Sequence, residues 1–343
     1  MKPLEPPLRY LAERPQNGCV ARIAEDIWWV RAALPFALDH VNLWLLRDSD
    51  GWTVIDCGFA DDWTRDMWDR LLSDFLSGLP VARVVATHFH PDHAGLAGWL
   101  VERTGADLLM SRSEWLTARM LKLDDTDSFA IAGAVCDRHA GLDEELVEKR
   151  MQRGNRYRLG VSLVASSYRR IRHGDRIRMA GGDWQVIVGE GHAPEMLTFH
   201  SSERNILIAA DQILPRITPI VGVWPGSPEE DPLGDFIDSI DRYRHIDPDC
   251  TVLPSHDGPF HGLPVRLDRL AAHHGERCDL ALGVCRQPAT AKTVMDALFP
   301  RRLDMHQIGF AIAETLAHLN HLCRKGQMKR LRETAKADRY ETV

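Results

Sequence analysis

Thr87-His88-Phe89-His90-Pro91-Asp92-His93-Ala94-Gly95 follows the apolar run Val81-Ala82-Arg83-Val84-Val85-Ala86 and leads into a helical spacing that continues to about Thr104. In extended backbone His88 and His90, two positions apart, project to the same side, so two imidazoles can reach one ion. Pro91 stops the strand and directs a bend. Asp92 and His93 then sit at a helix entrance, facing a second ion. Four ligand-type side chains in six positions would be costly in a core, because each buried polar group needs a partner. The segment reads as a metal-binding turn between a strand and a helix.

On the N-terminal side, apolar and β-branched runs at 27–30, 41–46 and 52–55 alternate with turn signals such as Asp48-Ser49-Asp50-Gly51, which predicts an antiparallel meander. A helix is expected over 63–76 and a strand over 81–87. On the C-terminal side, residues 111–175 carry long, charged, Met- and Arg-bearing segments and read as a helical insertion. Strands are expected again at 176–179, 184–188, 197–200 and 205–209, then a helix at 232–243 and a strand at 251–253. Three further ligand-type residues stand at strand ends: His192 after Gly189-Glu190-Gly191, Asp211 after the run 206–210, and His256 after Val252-Leu253-Pro254-Ser255.

A helix over 265–284 leads to Arg286-Gln287-Pro288, which divides a catalytic domain, 1–285, from a C-terminal unit, 286–343. In that unit Thr290 can cap a short helix, a longer helix spans 305–324, and 327–343 can form a hairpin. Two helices and a basic hairpin suggest a winged helix-turn-helix. Net charge is −7, yet residues 301–343 hold nine Lys/Arg against five Asp/Glu. The acidic body disfavours nucleic-acid binding by the whole chain. Arg324, Lys325, Lys329, Arg330 and Arg332 leave nucleic-acid contact through the C-terminal unit as an expectation, beside packing on the catalytic body or a homodimer. No run reaches the ~18–20 apolar residues of a membrane span, and the first 18 residues lack a signal-like stretch. The seven cysteines are scattered, with no C-x-x-C pair. Reduced thiols in a cytoplasmic protein are expected.

The ordered pattern H-x-H-x-D-H, then G-H, then a strand-terminal Asp, then P-x-H resembles the signature of the metallo-β-lactamase superfamily over residues from about 20 to 285. The resemblance implies a four-layer αββα sandwich, here with the helical insertion and the winged-helix unit, and a binuclear hydrolase in which a bridging hydroxide attacks the substrate. It implies a first metal site of His88, His90 and His192, a second of Asp92, His93 and His256, and Asp211 bridging both ions. Asp92 is then the catalytic residue that orients the nucleophile or moves its proton, and Asp56, in Val54-Ile55-Asp56-Cys57-Gly58, the structural aspartate supporting the site. Five imidazoles with two carboxylates favour two Zn2+, with Fe or Mn as alternatives. A lactamase-like domain followed by a winged helix also resembles the beta-lactamase-like protein 2 group. The chain departs from the family pattern in its long insertion and in Gly191-His192-Ala193-Pro194-Glu195-Met196, where G-H-x-P-G-H is frequent.

The expected activity is hydrolysis of a small-molecule thioester or ester, of acyl-CoA or glutathione type, or of a lactone. A single-strand endoribonuclease or phosphodiesterase is the second reading and a non-catalytic scaffold the third. Trp115, Met120, Tyr157, Tyr168, Arg169 and Arg170 of the insertion, and Trp224, either roof a pocket or simply pack. His139, His173, His200, His245, His261, His273 and His274 are expected to be structural or surface histidines.

Overall fold

The computed structural model describes residues 8–11, 13–333 and 337–343, so the opening segment 1–7, where no signal-like stretch is expected, lies outside the described residues. After a short strand β1 (Arg9–Tyr10), the chain forms the predicted meander of β2 (Val20–Ala24), β3 (Ile27–Ala33), β4 (His40–Asp48) and β5 (Gly51–Ile55), each pair antiparallel. Helix α1 (Asp62–Ser73) crosses to β6 (Val81–Val85), and α2 (Pro91–Ala94) with α3 (Ala97–Thr104) crosses to β7 (Asp107–Met110). The insertion follows as α4 (Arg112–Leu123), α5 (Ser128–Ala140), α6 (Glu144–Met151) and α7 (Tyr157–Gly160), before β8 (Arg169–Arg170) completes a seven-stranded sheet ordered β2-β3-β4-β5-β6-β7-β8. Its strands from β5 onward are parallel.

The second sheet starts with antiparallel β9 (Arg176–Met179), β10 (Gly182–Gly189), β11 (Met196–Ser201) and β12 (Ile206–Ala210). Helix α8 (Pro232–Asp241) returns the chain to β13 (Thr251–Pro254), parallel to β12, and β14 (Phe260–His261) carries the sheet on to β1.

Side-chain alternation sets the layers. On β4, Trp44 and Leu46 meet Trp184, Val186, Leu197 and Phe199 of the second sheet. Leu43 and Leu45 point the other way, onto Met67 and Trp68 of α1 and Leu100 of α3. On the second sheet, Ile187, Leu207 and Val252 face Phe236 and Ile240 of α8 and Leu267 and Leu270 of α9 (Leu263–Val284). Burial on both faces explains why Leu43, Trp44, Leu45 and Leu46 of β4 read as a continuous apolar run. The result is the expected αββα sandwich.

The C-terminal segment contributes β15 (Ala289–Thr290), α10 (Ala291–Leu298), α11 (Met305–Arg324), β16 (Met328–Leu331) and β17 (Arg339–Thr342), with the small sheet ordered β15-β17-β16. Thr290 caps α10 as predicted, its hydroxyl accepting the Thr293 N–H at 3.2 Å. Less expected is where these helices pack. Ala134 and Ala140 of α5 and Val147 of α6 share one apolar cluster with Val294, Leu298, Leu319 and Tyr340. The insertion thus rests on the C-terminal helices as well as on the body. Two arginines of the basic hairpin are paired: Arg330 donates to Glu229 at 2.9 Å, Arg332 pairs with the same carboxylate, and Arg330 also donates to Asn320. Among the described residues no helix is long and apolar enough to cross a membrane.

A buried polar seam lies between α9 and α11. His318 donates through Nδ1 to the Glu314 carbonyl (2.7 Å), so its Nε2 is left to accept from His274 Nδ1 at 3.3 Å. Burial pushes both imidazoles down, His318 to about 4 and His274 to about 2, and keeps them neutral. Burial raises the Glu314 carboxyl to about 7, although Arg277 lies 3.7 Å away and acts in the opposite sense. Between the ordinary carboxyl range and pH 7 the folded chain holds a proton there that the unfolded chain releases, so this group's stabilising contribution is lost as pH rises through about 7. Glu314→Gln is therefore expected to gain stability relative to the parent between pH 5 and pH 8, by on the order of a few kcal/mol. Parallel denaturant titrations at the two pH values check this; a pH-independent difference would contradict it.

Candidate metal centre

The carboxyl ends of β5, β6, β10, β12 and β13 meet at one rim of the sandwich, where loops from parallel strands commonly place a site. Each delivers a residue singled out above. Asp56 follows β5 with a φ of 62°, and Asp211 follows Ala210, whose φ is 48°. These left-handed conformations cost energy outside glycine and turn the strand ends abruptly towards the rim. Gly95 permits the close packing behind the motif: a Cβ there would stand 2.5 Å from the Gly58 carbonyl oxygen and 2.7 Å from that of Gly160. That approach docks the end of the insertion, α7, against the site.

Three triads of potential ligands result: His88 with His90 and His192; Asp92 with His93 and His256; and His88 with His93 and Asp211, the ligand atoms of each lying within 4.8 Å of one another. Asp211 faces both sides, with Oδ2 3.5 Å from His192 Nε2 and Oδ1 3.6 Å from His93 Nε2 and 3.4 Å from His256 Nε2. Asp92 Oδ2 stands 3.5 Å from His93 Nε2 and 3.6 Å from His256 Nε2.

The outer ring atoms are already engaged. His192 Nδ1 donates to the Ile220 carbonyl (2.7 Å), His256 Nδ1 to the His40 carbonyl (2.8 Å) and His93 Nδ1 to Asp56 Oδ2 (2.8 Å). Asp56 also accepts the Thr87 N–H at 2.8 Å and the Thr87 hydroxyl at 2.9 Å. These bonds place the protons on Nδ1 and turn bare Nε2 atoms inward, as the outer partners of metal-bound histidines do. His93 Nε2, His192 Nε2, His256 Nε2 and Asp211 Oδ1 are buried and have no hydrogen-bond partner. Since buried polar atoms are rarely left unpaired, four such atoms converging on one cavity fit a cation.

The electrostatics agree. Burial pushes His90 down to about 3 and His88 well below the imidazole range, with neighbouring imidazoles adding to the effect. Burial opposes charge on His93 too, yet Asp92, Asp211 and Asp56 together hold it well above its ordinary value. Burial likewise disfavours the Asp92 carboxylate, but His93 and His256 draw it to about 2, and His256 and His93 hold Asp211 well below the usual carboxylate range. Burial opposes charge on His256 as well, yet Asp211 and Asp92 hold it above its ordinary value. Imidazoles beside persistent carboxylates are the donor set of a borderline cation.

Residues outside the motif complete the site. His40, absent from the sequence expectations, accepts the Asp257 N–H on Nε2 at 2.9 Å in addition to presenting its carbonyl to His256. Tyr157 donates its hydroxyl to the Phe89 carbonyl at 2.6 Å and so adjoins the centre. Trp115 instead stacks on Tyr168, with ring centroids 4.5 Å apart, and Met120 is exposed on the outer side of α4. His200 lies at the other end of β11, lining a separate cavity of about 330 Å³ with Arg176 and His245, and takes no part in the site.

Comparison with known proteins agrees with this geometry. Residues 37–256 match the metallo-beta-lactamase superfamily, and residues 278–343 match the metallo-beta-lactamase-like C-terminal domain. A beta-lactamase domain protein from Burkholderia ambifaria is 37% identical, with 98% of each chain covered and a TM-score of 0.90. A probable metallo-hydrolase of Bacillus subtilis, YqjP, is 24% identical over 87% of this chain and 92% of its own length. A hydroxyacylglutathione hydrolase of Pseudomonas aeruginosa is 35% identical over 108 residues, which are 30% of this chain and 38% of that one. The chain belongs to the metallo-beta-lactamase superfamily and is one of its metallo-hydrolases.

Proposed function

We propose that the chain hydrolyses a small-molecule thioester or related ester, using two divalent cations, Zn2+ foremost, held by His88, His90 and His192 on one side and by Asp92, His93 and His256 on the other, with Asp211 between them. Bound there, such a pair would supply Lewis acidity and a water acidic enough to ionise near neutral pH. The protein's own groups do the rest. Asp92, whose Oδ2 lies beside both His93 and His256, is placed to take the proton released as water oxygen adds to the acyl carbon. As the C–S bond breaks, that proton can pass to the departing thiolate.

One observation carries the choice of substrate: the rim around the centre is aromatic, and two arginines of the basic hairpin are paired with Glu229. Phe89 sits between two of the imidazoles, Phe59 follows Asp56 and packs edge-on to Phe36 with centroids 5.8 Å apart, and Trp224 lies four residues beyond Ile220, whose carbonyl holds His192. Phe36 and Trp224 are partly exposed. Such a rim suits an acyl group. The partial likeness to a hydroxyacylglutathione hydrolase supports the same class. A nucleic acid would need uncommitted cations along its path, whereas Arg330 and Arg332 are bound to Glu229. We read the C-terminal unit as a winged helix that serves packing.

Zinc-reconstituted protein offered acyl-CoA and acyl-glutathione thioesters, lactones and labelled single-stranded RNA should turn over thioesters and leave RNA intact. Asp92→Ala should lower that turnover by roughly 10²- to 10⁴-fold. Cleavage of RNA without any thioester turnover would overturn the proposal.

A further inference from the structure

The departure at Glu195 and the long insertion meet at a single contact. Glu114, fully buried in the first turn of α4, accepts two backbone N–H groups: Phe89 N on Oε2 at 2.8 Å and Glu195 N on Oε1 at 2.7 Å. Phe89 is the residue between His88 and His90. Glu195 lies three residues beyond His192. The second carboxylate returns the contact, because Glu195 Oε2 accepts the Ser113 N–H at 2.7 Å, in the same turn of α4 as Glu114.

A carboxylate stripped of water and without a cationic partner is costly to keep. The charge that bears on Glu114 is that of Glu195, of the same sign. A helix needing only an anchor could use an apolar side chain at this position, at lower cost. What Glu114 accomplishes that an apolar residue could not is to bind the backbone of two loops that carry different imidazoles of one triad. Those loops leave different sheets, β6 in the first and β10 in the second. One further backbone bond, from the Leu197 N–H to the Thr87 carbonyl at 2.9 Å, joins the same two segments beside the packing of the sheets.

We propose that Glu114, with Glu195 as its reciprocal partner, is a positioning residue that fixes the His88–His90 strand end against the His192 loop and thereby sets how tightly the ion between those three imidazoles is held. The inference rests on reading His88, His90 and His192 as one metal site. It assigns the insertion's first helix a role in the metal centre, and it accounts for Glu195, whose backbone and side chain each close one half of the clasp.

The test is Zn2+ retention, measured on the full-length protein by competition with a chromogenic chelator. Glu114→Gln keeps the volume and one accepting oxygen but sets an NH2 group against one of the two N–H donors. It should weaken one of the two zinc equivalents by roughly 10- to 100-fold, the range seen when outer partners of metal ligands are altered. The other equivalent and the far-UV circular dichroism should match the parent. Glu195→Ala, which removes only the half-exposed arm of the clasp, should weaken the same equivalent by a smaller factor, and it decides the matter if Glu114→Gln does not fold. Parent-like retention of both equivalents in the folded variants would overturn the proposal, as would equal weakening of both. A parent protein that binds no zinc, with His192→Ala indistinguishable from it, would instead remove the reading of the ligands themselves.

Discussion

Asp211→Asn is expected to lower hydrolysis by more than about 100-fold and to bring metal content below two equivalents per chain. The carboxylate lies within 3.6 Å of imidazoles from both proposed metal sites, meeting His192 through one oxygen and His93 and His256 through the other. Asparagine keeps the shape but offers a single neutral acceptor, so one side faces an NH2 group. Altering a mere outer partner of a metal ligand typically costs 10- to 100-fold, and a group shared by both sites should cost more. Elemental analysis and steady-state rates on the same preparation check this. Two equivalents retained, with activity within about tenfold of the parent, would refute the assignment of Asp211.

The second large effect is on stability and is expected at Asp56→Ala. Asp56 is buried at the end of β5 and accepts three hydrogen bonds, from the Thr87 amide, the Thr87 hydroxyl and His93 Nδ1. Alanine strands the amide and the imidazole N–H in the interior, at roughly 1–3 kcal/mol each. It also forces a Cβ-bearing residue without a capping side chain to keep a φ of 62°, adding about 1–2 kcal/mol. The sum is about 3–8 kcal/mol. Asp56→Asn, which tolerates the left-handed backbone and retains one acceptor, should lose clearly less. Denaturant unfolding of the three proteins at one pH separates them; an alanine variant within about 1 kcal/mol of the parent would show that the network is dispensable.

The layers and the seven site residues were legible in sequence because both are written locally. Strand alternation places Trp44 and Leu46 opposite Leu43 and Leu45, and the strand-to-helix turn at 87–95 carries four of the seven residues within six positions. His192, Asp211 and His256 are marked by the strands they terminate. Two of the outer partners carry no such mark. His192 and His256 are oriented by the carbonyls of Ile220 and His40, groups every residue possesses, so only the fold reveals which is used. The pairing of the basic hairpin is hidden for the same reason: Glu229, which meets Arg330 and Arg332, lies about a hundred positions earlier. Glu114 carries no signal either, since a glutamate in the first turn of a helix is ordinarily a solvated residue that complements the helix dipole.

The cluster joining α5 and α6 to the C-terminal helices bears on biosynthesis. His139 and Asp338, which meet across this interface, are 199 residues apart, and β17 is the central strand of the small sheet. A ribosome making this chain completes the sandwich through β14 while Ala134, Ala140 and Val147 still lack the partners that cover them. Only when residues 338–342 leave the exit tunnel does that face close. The nascent chain therefore passes through a stage with an open apolar flank on the insertion, where chaperone engagement would act.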